Sequence, residues 1–234
     1  MDFYSNEGKE LIIETGDGDK YLRHAIKTEF VNVGDDYLQF VEKYAKEIYQ
    51  EGDILAICEK VIALCQNRVV RRQEIKIGFL AKFLSKFAAK NDGGVGVHET
   101  IKMQYAIDKV GALRVIYASI MSALNKLVGK RGTFYEIVGY EVAGLDGFYG
   151  KVWDEYQDLG IEIPDKPDEV CNEIKEKLGI SCMIIDANDF GQEILGKSSD
   201  IQKSVTQLIE LIRDNPAGQQ KEQTPMILIR KTEC

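Results

Sequence analysis

Two aspartates in turn-forming company are the residues best suited to chemistry. The stretch from Ile180 to Gly191 reads as a short buried strand, Cys182 to Ile185, running into an acidic turn of Asp186, Ala187, Asn188 and Asp189. A strand ending in Asp-x-Asn-Asp places hard oxygen donors at its carboxyl edge. Such oxygens suit Mg²⁺ or Mn²⁺ when a substrate phosphate completes the shell. Turn formation accounts for the same residues, because Asp and Asn side chains bond the nearby backbone. A second acidic turn, Asp146 between Gly144 and Gly147, ends the strand-like stretch 134–143, with glycines that let a ligand approach. Two strand-end aspartates from distant segments can share divalent ions, as phosphoryl-transfer sites commonly require.

A phosphate would need cations or backbone donors. Lys60, Arg68, Lys130 and Arg131 are the candidates, beside the amides of Gly93 to Gly96. Neither glycine run is a nucleotide fingerprint: 93–96 lacks the G-x-G-x-x-G spacing, and Gly129-Lys-Arg-Gly132 is not a Walker A loop. Glu59-Lys60 reads first as a surface ion pair, with a lysine held toward a nucleotide phosphate as the functional alternative. His98-Glu99 lacks the second histidine of a metalloprotease helix. Ser119 and Ser122 have no histidine partner, which removes a serine nucleophile.

The elements that must position these residues belong to a chain of 234 residues, 44% hydrophobic, enough to bury a sizeable core. The formal net charge of −8 argues against nonspecific nucleic-acid binding. The sequence carries no run of about 20 apolar residues and no charged-then-apolar leader, so a soluble, cytoplasmic protein is expected. Five cysteines, Cys58, Cys65, Cys171, Cys182 and Cys234, form no C-x-x-C pair and read as reduced, structural thiols. Patterning predicts an extended segment over 21–33, then a helix from Tyr37 to about Gln50 capped by Asp35 or Asp36. Ile54 to Cys58 reads as a buried strand. Helices are expected over 75–90, 99–110, 113–128, 168–178 and 200–213, the last capped by Ser198 or Ser199. Met226 to Ile229 reads as a final strand. The 113–128 helix is apolar on nearly every side and is expected to be deeply buried.

Several of these segments, taken in order, resemble the coenzyme F420-0:L-glutamate ligase (γ-glutamyl ligase) family, particularly a divergent bacterial ligase-like branch. The family's G-D-x-x-x-x-x-E-K-V-V-S-K-A-E-G-R segment stands here as Gly52-Asp53 through Glu59-Lys60 to Arg68. Its N-A-G-I-D stands as Val142-Ala-Gly-Leu-Asp146, its D-T-N-G as Asp186-Ala-Asn188-Asp189, and its G-D-D-L as Gly34-Asp-Asp-Tyr37. The closing apolar strand stands as Thr224 to Arg230, so the order holds over residues 26 to 230. The departures are specific. S-K-A-E-G is Ala63-Leu-Cys-Gln-Asn67, the threonine after the metal-site aspartate is Ala187, and the glycine-aspartate run before the last strand is Gln219 to Gln223.

The resemblance implies an α+β fold, a single intertwined domain of mixed sheets and helices over 26–234 behind an N-terminal extension, 1–25, assembled as a homodimer. It implies GTP as co-substrate with Mg²⁺ or Mn²⁺, phosphorylation of a carboxylate, and attack by a glutamate amine on the acyl phosphate. The implied acid is coenzyme F420-0 or a relative. Asp146 and Asp186 would be the catalytic metal ligands, joined by Asn188 and Asp189. Lys60, Arg68, Lys130 and Arg131 would face the nucleotide. The alternative is a non-catalytic relative that binds a nucleotide or small phosphorylated ligand.

Overall fold

The computed structural model describes residues 3–88, 96–148, 154–188, 191–218 and 221–232. In chain order these form β1 (Ile12–Glu14), β2 (Lys20–Ile26), α1 (Tyr37–Ala45), β3 (Ile54–Cys58), α2 (Glu59–Cys65), β4 (Val69–Arg71) and α3 (Phe79–Ser85). There follow α4 (Thr100–Val110), α5 (Ala112–Leu127), α6 (Thr133–Val138), α7 (Tyr140–Ala143), β5 (Asp146–Gly147) and β6 (Leu159–Ile161). The chain ends with α8 (Pro167–Leu178), β7 (Cys182–Asn188), β8 (Gly191–Lys197), α9 (Val205–Leu211) and β9 (Met226–Thr232). The architecture is the expected mixed α+β. The chain divides into two compact units, one of 1–67 with 164–234 and one of 68–163.

The first unit is built on a six-stranded sheet in the order β1-β2-β9-β3-β7-β8. Its centre is apolar because it is covered on both sides: Ile54 to Ile57 of β3 and Met226 to Ile229 of β9 are all buried. β3 runs antiparallel to β9 and parallel to β7, with Leu55 opposite Cys182 and Cys58 opposite Ile185. Alternation sends Ala56, Met183, Ile185 and Ile227 to one face, where Leu208 and Leu211 of α9 pack on them. Helix α8 packs on β7 and β8. The N-terminal segment contributes β1 and most of β2 to this sheet. Arg23, buried in β2, donates to both carboxylate oxygens of Asp214 and to the carbonyls of Glu10 and Leu211.

The second unit joins a three-stranded antiparallel sheet, β4-β6-β5, to helices α3 to α7. Its core gathers Met103, Ala106, Val115, Ala118, Phe134, Val142 and Leu145.

Local chemistry explains where the elements stop and start. Asp36 caps α1, accepting from the amide of Leu38 at 2.8 Å, as expected, but the helix closes at Ala45. Gly111, with φ of 87°, separates α4 from α5 at the expected break. The helix expected from 75 is only Phe79–Ser85, because Arg72–Glu74 forms a 3₁₀ turn and Gly78 precedes the first turn. The helix expected from 200 begins at Val205 instead. Ser204 and Gln207 form its capping box, while Ser198 is buried and accepts from the amide of Cys182. The strand expected over 134–143 is two short helices, α6 and α7, hinged at Gly139 with φ of 97°. Their β-branched residues pack inward instead of pairing: Val138 and Val142 are buried in the core. The expected deep burial of the 113–128 helix is also corrected. In α5 only Val115 and Ala118 are buried, and Leu113 and Leu127 are 85% and 84% exposed.

Candidate active site

In an open sheet with parallel strands, ligands collect beyond the carboxyl ends of those strands. The parallel pair in the first unit is β3 with β7, and their carboxyl ends carry Glu59-Lys60 and Asp186. Cys58 pairs with Ile185, so Glu59, which opens α2, and Asp186, which continues β7, are the residues that follow this last pair. The expected acidic turn is corrected here: β7 runs on through Asp186 and Ala187 to Asn188. Asp186 sits opposite Glu193 of β8, just past a register shift between Ile184 and Ile185. Such an irregularity bends the strand and re-aims side chains. Two carboxylates directly opposite one another repel, and a cation held nearby relieves that repulsion. Asp186 is half-buried. The Oδ1 of Asn188 accepts from the amide of Gly191 at 3.1 Å, which closes the hairpin.

Glu59 is buried at 6% exposure as the first residue of α2, where the helix dipole favours a carboxylate. Lys60 Nζ lies 3.6 Å from Glu59 Oε1. Burial pushes the Cys58 thiol up to about 12, with Asp186 and Glu59 adding to the shift and Lys60 opposing it. A thiol so perturbed stays protonated and is no nucleophile. The positions matching the family's loop serine and lysine, Ala63 and Leu64, are buried inside α2.

Asp146 belongs to the second unit. It opens β5, directly after the single turn of α7, and its Oδ1 accepts from the amide of Gly147 at 2.8 Å. The neighbouring glycines answer to packing before any ligand. A Cβ on Gly144 would lie 2.3 Å from Ile163 Cγ2, and one on Gly147 would lie 2.4 Å from the Leu159 carbonyl oxygen. Beneath this turn lies Lys102 of α4, a buried lysine that sequence reasoning missed. Its Nζ donates to the carbonyls of Ala143 at 3.1 Å and Leu145 at 2.7 Å. Burial lowers its ammonium to about 8 while the Asp146 carboxylate pulls the other way, so at pH 7 it remains mostly charged. Nothing in the run Thr100 to Val110 marks this lysine as an inward-facing one.

Arg68, the expected phosphate fork, is already engaged within the second unit. Its Nε donates to the Ile163 carbonyl at 3.0 Å and lies 3.6 Å from Glu162 Oε2, while a terminal nitrogen lies 3.8 Å from Glu141. Glu162 also accepts from Tyr105 at 2.6 Å and Lys109 at 3.1 Å. Lys130 pairs with Glu136 at 3.0 Å on the surface, and Arg131 is exposed. Lys60, Asp186 and Asn188 therefore share the first unit, and Arg68, Lys130, Arg131 and Asp146 the second. Asp189 and Gly93 to Val95 lie outside the described residues.

The donor set suits a hard cation. Asp146, Asp186 and Asn188 offer oxygens only, but among the described residues no three His, Cys, Asp or Glu side chains converge into a shell. Mg²⁺ keeps several waters and commonly takes one or two carboxylates plus substrate phosphates, so Asp186 with Asn188 in the first unit, and Asp146 in the second, each offer oxygens suited to such an ion. Among the described residues no helix is long and apolar enough to cross a membrane. No curated protein matches the chain. Residues 25–189, well over half of the chain and including the β3–α2 junction, Asp146 and Asp186, match the family model described as F420-0:gamma-glutamyl ligase, and the chain belongs to that family.

Proposed function

We propose that the protein is a GTP- and divalent-metal-dependent carboxylate–amine ligase that extends an acid of the coenzyme F420-0 class with glutamate. The observation that carries this reading is the carboxyl edge of β3 and β7, where Glu59-Lys60 and Asp186 directly follow the paired Cys58 and Ile185 inside the stretch that matches the family. In the proposed reaction a carboxylate oxygen attacks the γ-phosphorus of GTP and the bond to the β-bridging oxygen breaks, releasing GDP. The glutamate amine then attacks the acyl carbon, expelling phosphate as the amide forms and the amine loses its proton. Mg²⁺ or Mn²⁺, when bound, would neutralise charge building on the transferring phosphoryl group. Asp146 and Asp186 would each supply carboxylate oxygens to the divalent ions, with Asn188 and Asp189 as further oxygen donors. Lys60, whose ammonium lies 3.6 Å from Glu59 Oε1 at the first turn of α2, would face a phosphate. Arg68 and Lys130 would assist by exchanging protein carboxylates for phosphate, and Arg131 from an exposed position.

One observation favours a second reading, a relative that binds nucleotide without transferring phosphate. The positions of the family's loop serine and lysine are apolar and buried here, at Ala63 and Leu64. Incubation with coenzyme F420-0, glutamate, GTP and Mn²⁺, followed by mass spectrometry, separates the two. Glutamylated product with stoichiometric phosphate supports the ligase. Nucleotide binding without product supports the second reading.

The exposed apolar residues of α5, Leu113, Tyr117, Ile120, Leu124 and Leu127, fit a homodimer that buries them against a second copy of the chain.

A further inference from the structure

A fully buried lysine is costly unless something demands its charge, because an ammonium taken out of water loses its hydration. Lys102 is 4% exposed. Its surroundings are those of a caged cation: two carbonyl oxygens, the face of Tyr135 at 5.5 Å, and the carboxylate of Asp146 acting on it electrostatically. Those carbonyls belong to Ala143, at the carboxyl end of α7, and Leu145, the residue before Asp146. Helix carboxyl ends favour cations, and a one-turn helix such as α7 has little else to hold its last carbonyl. The same ammonium thus grips the chain on both sides of Gly144, where packing against Ile163 leaves no room for a side chain. Immediately downstream Gly147, at φ of 113°, is pressed against the Leu159 carbonyl, which anchors the other flank of Asp146.

We propose that Lys102 is the positioning residue for Asp146, clamping the carbonyls of Ala143 and Leu145 and so fixing the backbone from which the Asp146 carboxylate is presented to a divalent cation. The proposal rests on the reading of Asp146 as a metal ligand and adds to it the residue that aims the ligand. Residues that orient metal ligands typically change metal affinity by 10–100-fold when removed.

The test uses Lys102→Met, which keeps the stem and loses the ammonium. Amide hydrogen exchange at Gly147 and Phe148 is measured without metal, and Mn²⁺ affinity in the presence of GTP by titration. The expected result is exchange at least about tenfold faster at these two amides, with protection in β3, β7 and β9 retained, and Mn²⁺ affinity weaker by about tenfold or more. Should Lys102→Met not fold, Lys102→Gln keeps a donor without the charge and carries the same readouts. Exchange at Gly147 and Phe148 within about threefold of wild type would overturn the clamp, on the same scale. Faster exchange with unchanged Mn²⁺ affinity would overturn the link to the metal. A wild type that binds no Mn²⁺ would overturn the metal reading of Asp146 and this proposal with it. That outcome is distinguishable from failure of the clamp, because the exchange readout needs no metal.

Discussion

Replacing Arg68 by alanine distinguishes a free phosphate fork from a structural cation. A fork waiting for nucleotide would leave the ligand-free protein untouched when removed. The structure says otherwise. Arg68→Ala removes an Nε–H donated to the Ile163 carbonyl at 3.0 Å and a counter-charge 3.6 Å from Glu162, whose side chain is only 12% exposed. The contact with Glu141 adds little, since that carboxylate is half exposed. Glu162 is not orphaned, because Lys109 and Tyr105 still hold it. One charge-assisted hydrogen bond and one partly screened ion pair amount to about 1.5–2.5 kcal/mol, or roughly 3–10 °C in Tm for a chain of this size. Glu162→Ala should cost more, about 3–5 kcal/mol, because it strips a partner from Arg68, Lys109 and Tyr105 together. Urea denaturation without nucleotide measures both. A loss below about 0.5 kcal/mol for Arg68→Ala, the size of an ordinary surface change, would refute the network argument and return Arg68 to the nucleotide.

Further outcomes follow from the same contacts. Asp53, 3% exposed, holds Arg230 in a two-pronged pair at 2.8 and 2.6 Å, so Asp53→Ala should lower stability by about 2–4 kcal/mol in urea denaturation. Burial alone would raise the Glu162 and Asp214 carboxyls, but Tyr105, Lys109 and Arg68 in one case and Arg23 in the other outweigh it and hold both below their ordinary values. Their contribution is therefore present above the unfolded carboxyl pKa and is lost as pH falls through the depressed folded values. Urea midpoints should drop below about pH 4, and Glu162→Gln should flatten that acid limb. Leu124→Asp should shift sedimentation toward monomer if α5 lies in a subunit interface; a wild type that is already a stable monomer at micromolar concentration would exclude the interface.

The central strands were legible because burial on both faces writes itself as continuous apolar runs, as in Ile54 to Cys58 and Met226 to Ile229. Helix α8, introduced by Pro167 and closed by Gly179, was equally plain. The stretch 134–143 misled because its valines and aromatics suit a strand, while Gly132 and Gly139 at positive φ permit short helices that bury the same side chains. β8 was missed because a hairpin edge strand with a polar face, Gly191 to Lys197, carries no strong periodicity. For α5, periodicity reports apolar content but not whether the same chain covers it. Asp146 and Asp186 stand out as candidates in the sequence from turn chemistry and order along the chain, although Asp186 lies within β7 and not in a turn. Lys102 and Glu193 do not, because only the folded backbone sets an inward-facing lysine under Gly144 or a glutamate across from Asp186.

The central proposal is that Asp186 and Asp146 each supply oxygens to divalent ions that bind together with a nucleotide. Isothermal titration of GTP in the presence and absence of Mn²⁺, with wild type, Asp186→Asn and Asp146→Asn, tests it most directly. The account predicts Mn²⁺-dependent heat in the wild type, with affinity at least about tenfold weaker in each variant and stability otherwise retained. Mn²⁺-dependent binding of equal strength in all three proteins, or no heat from the wild type, would contradict it.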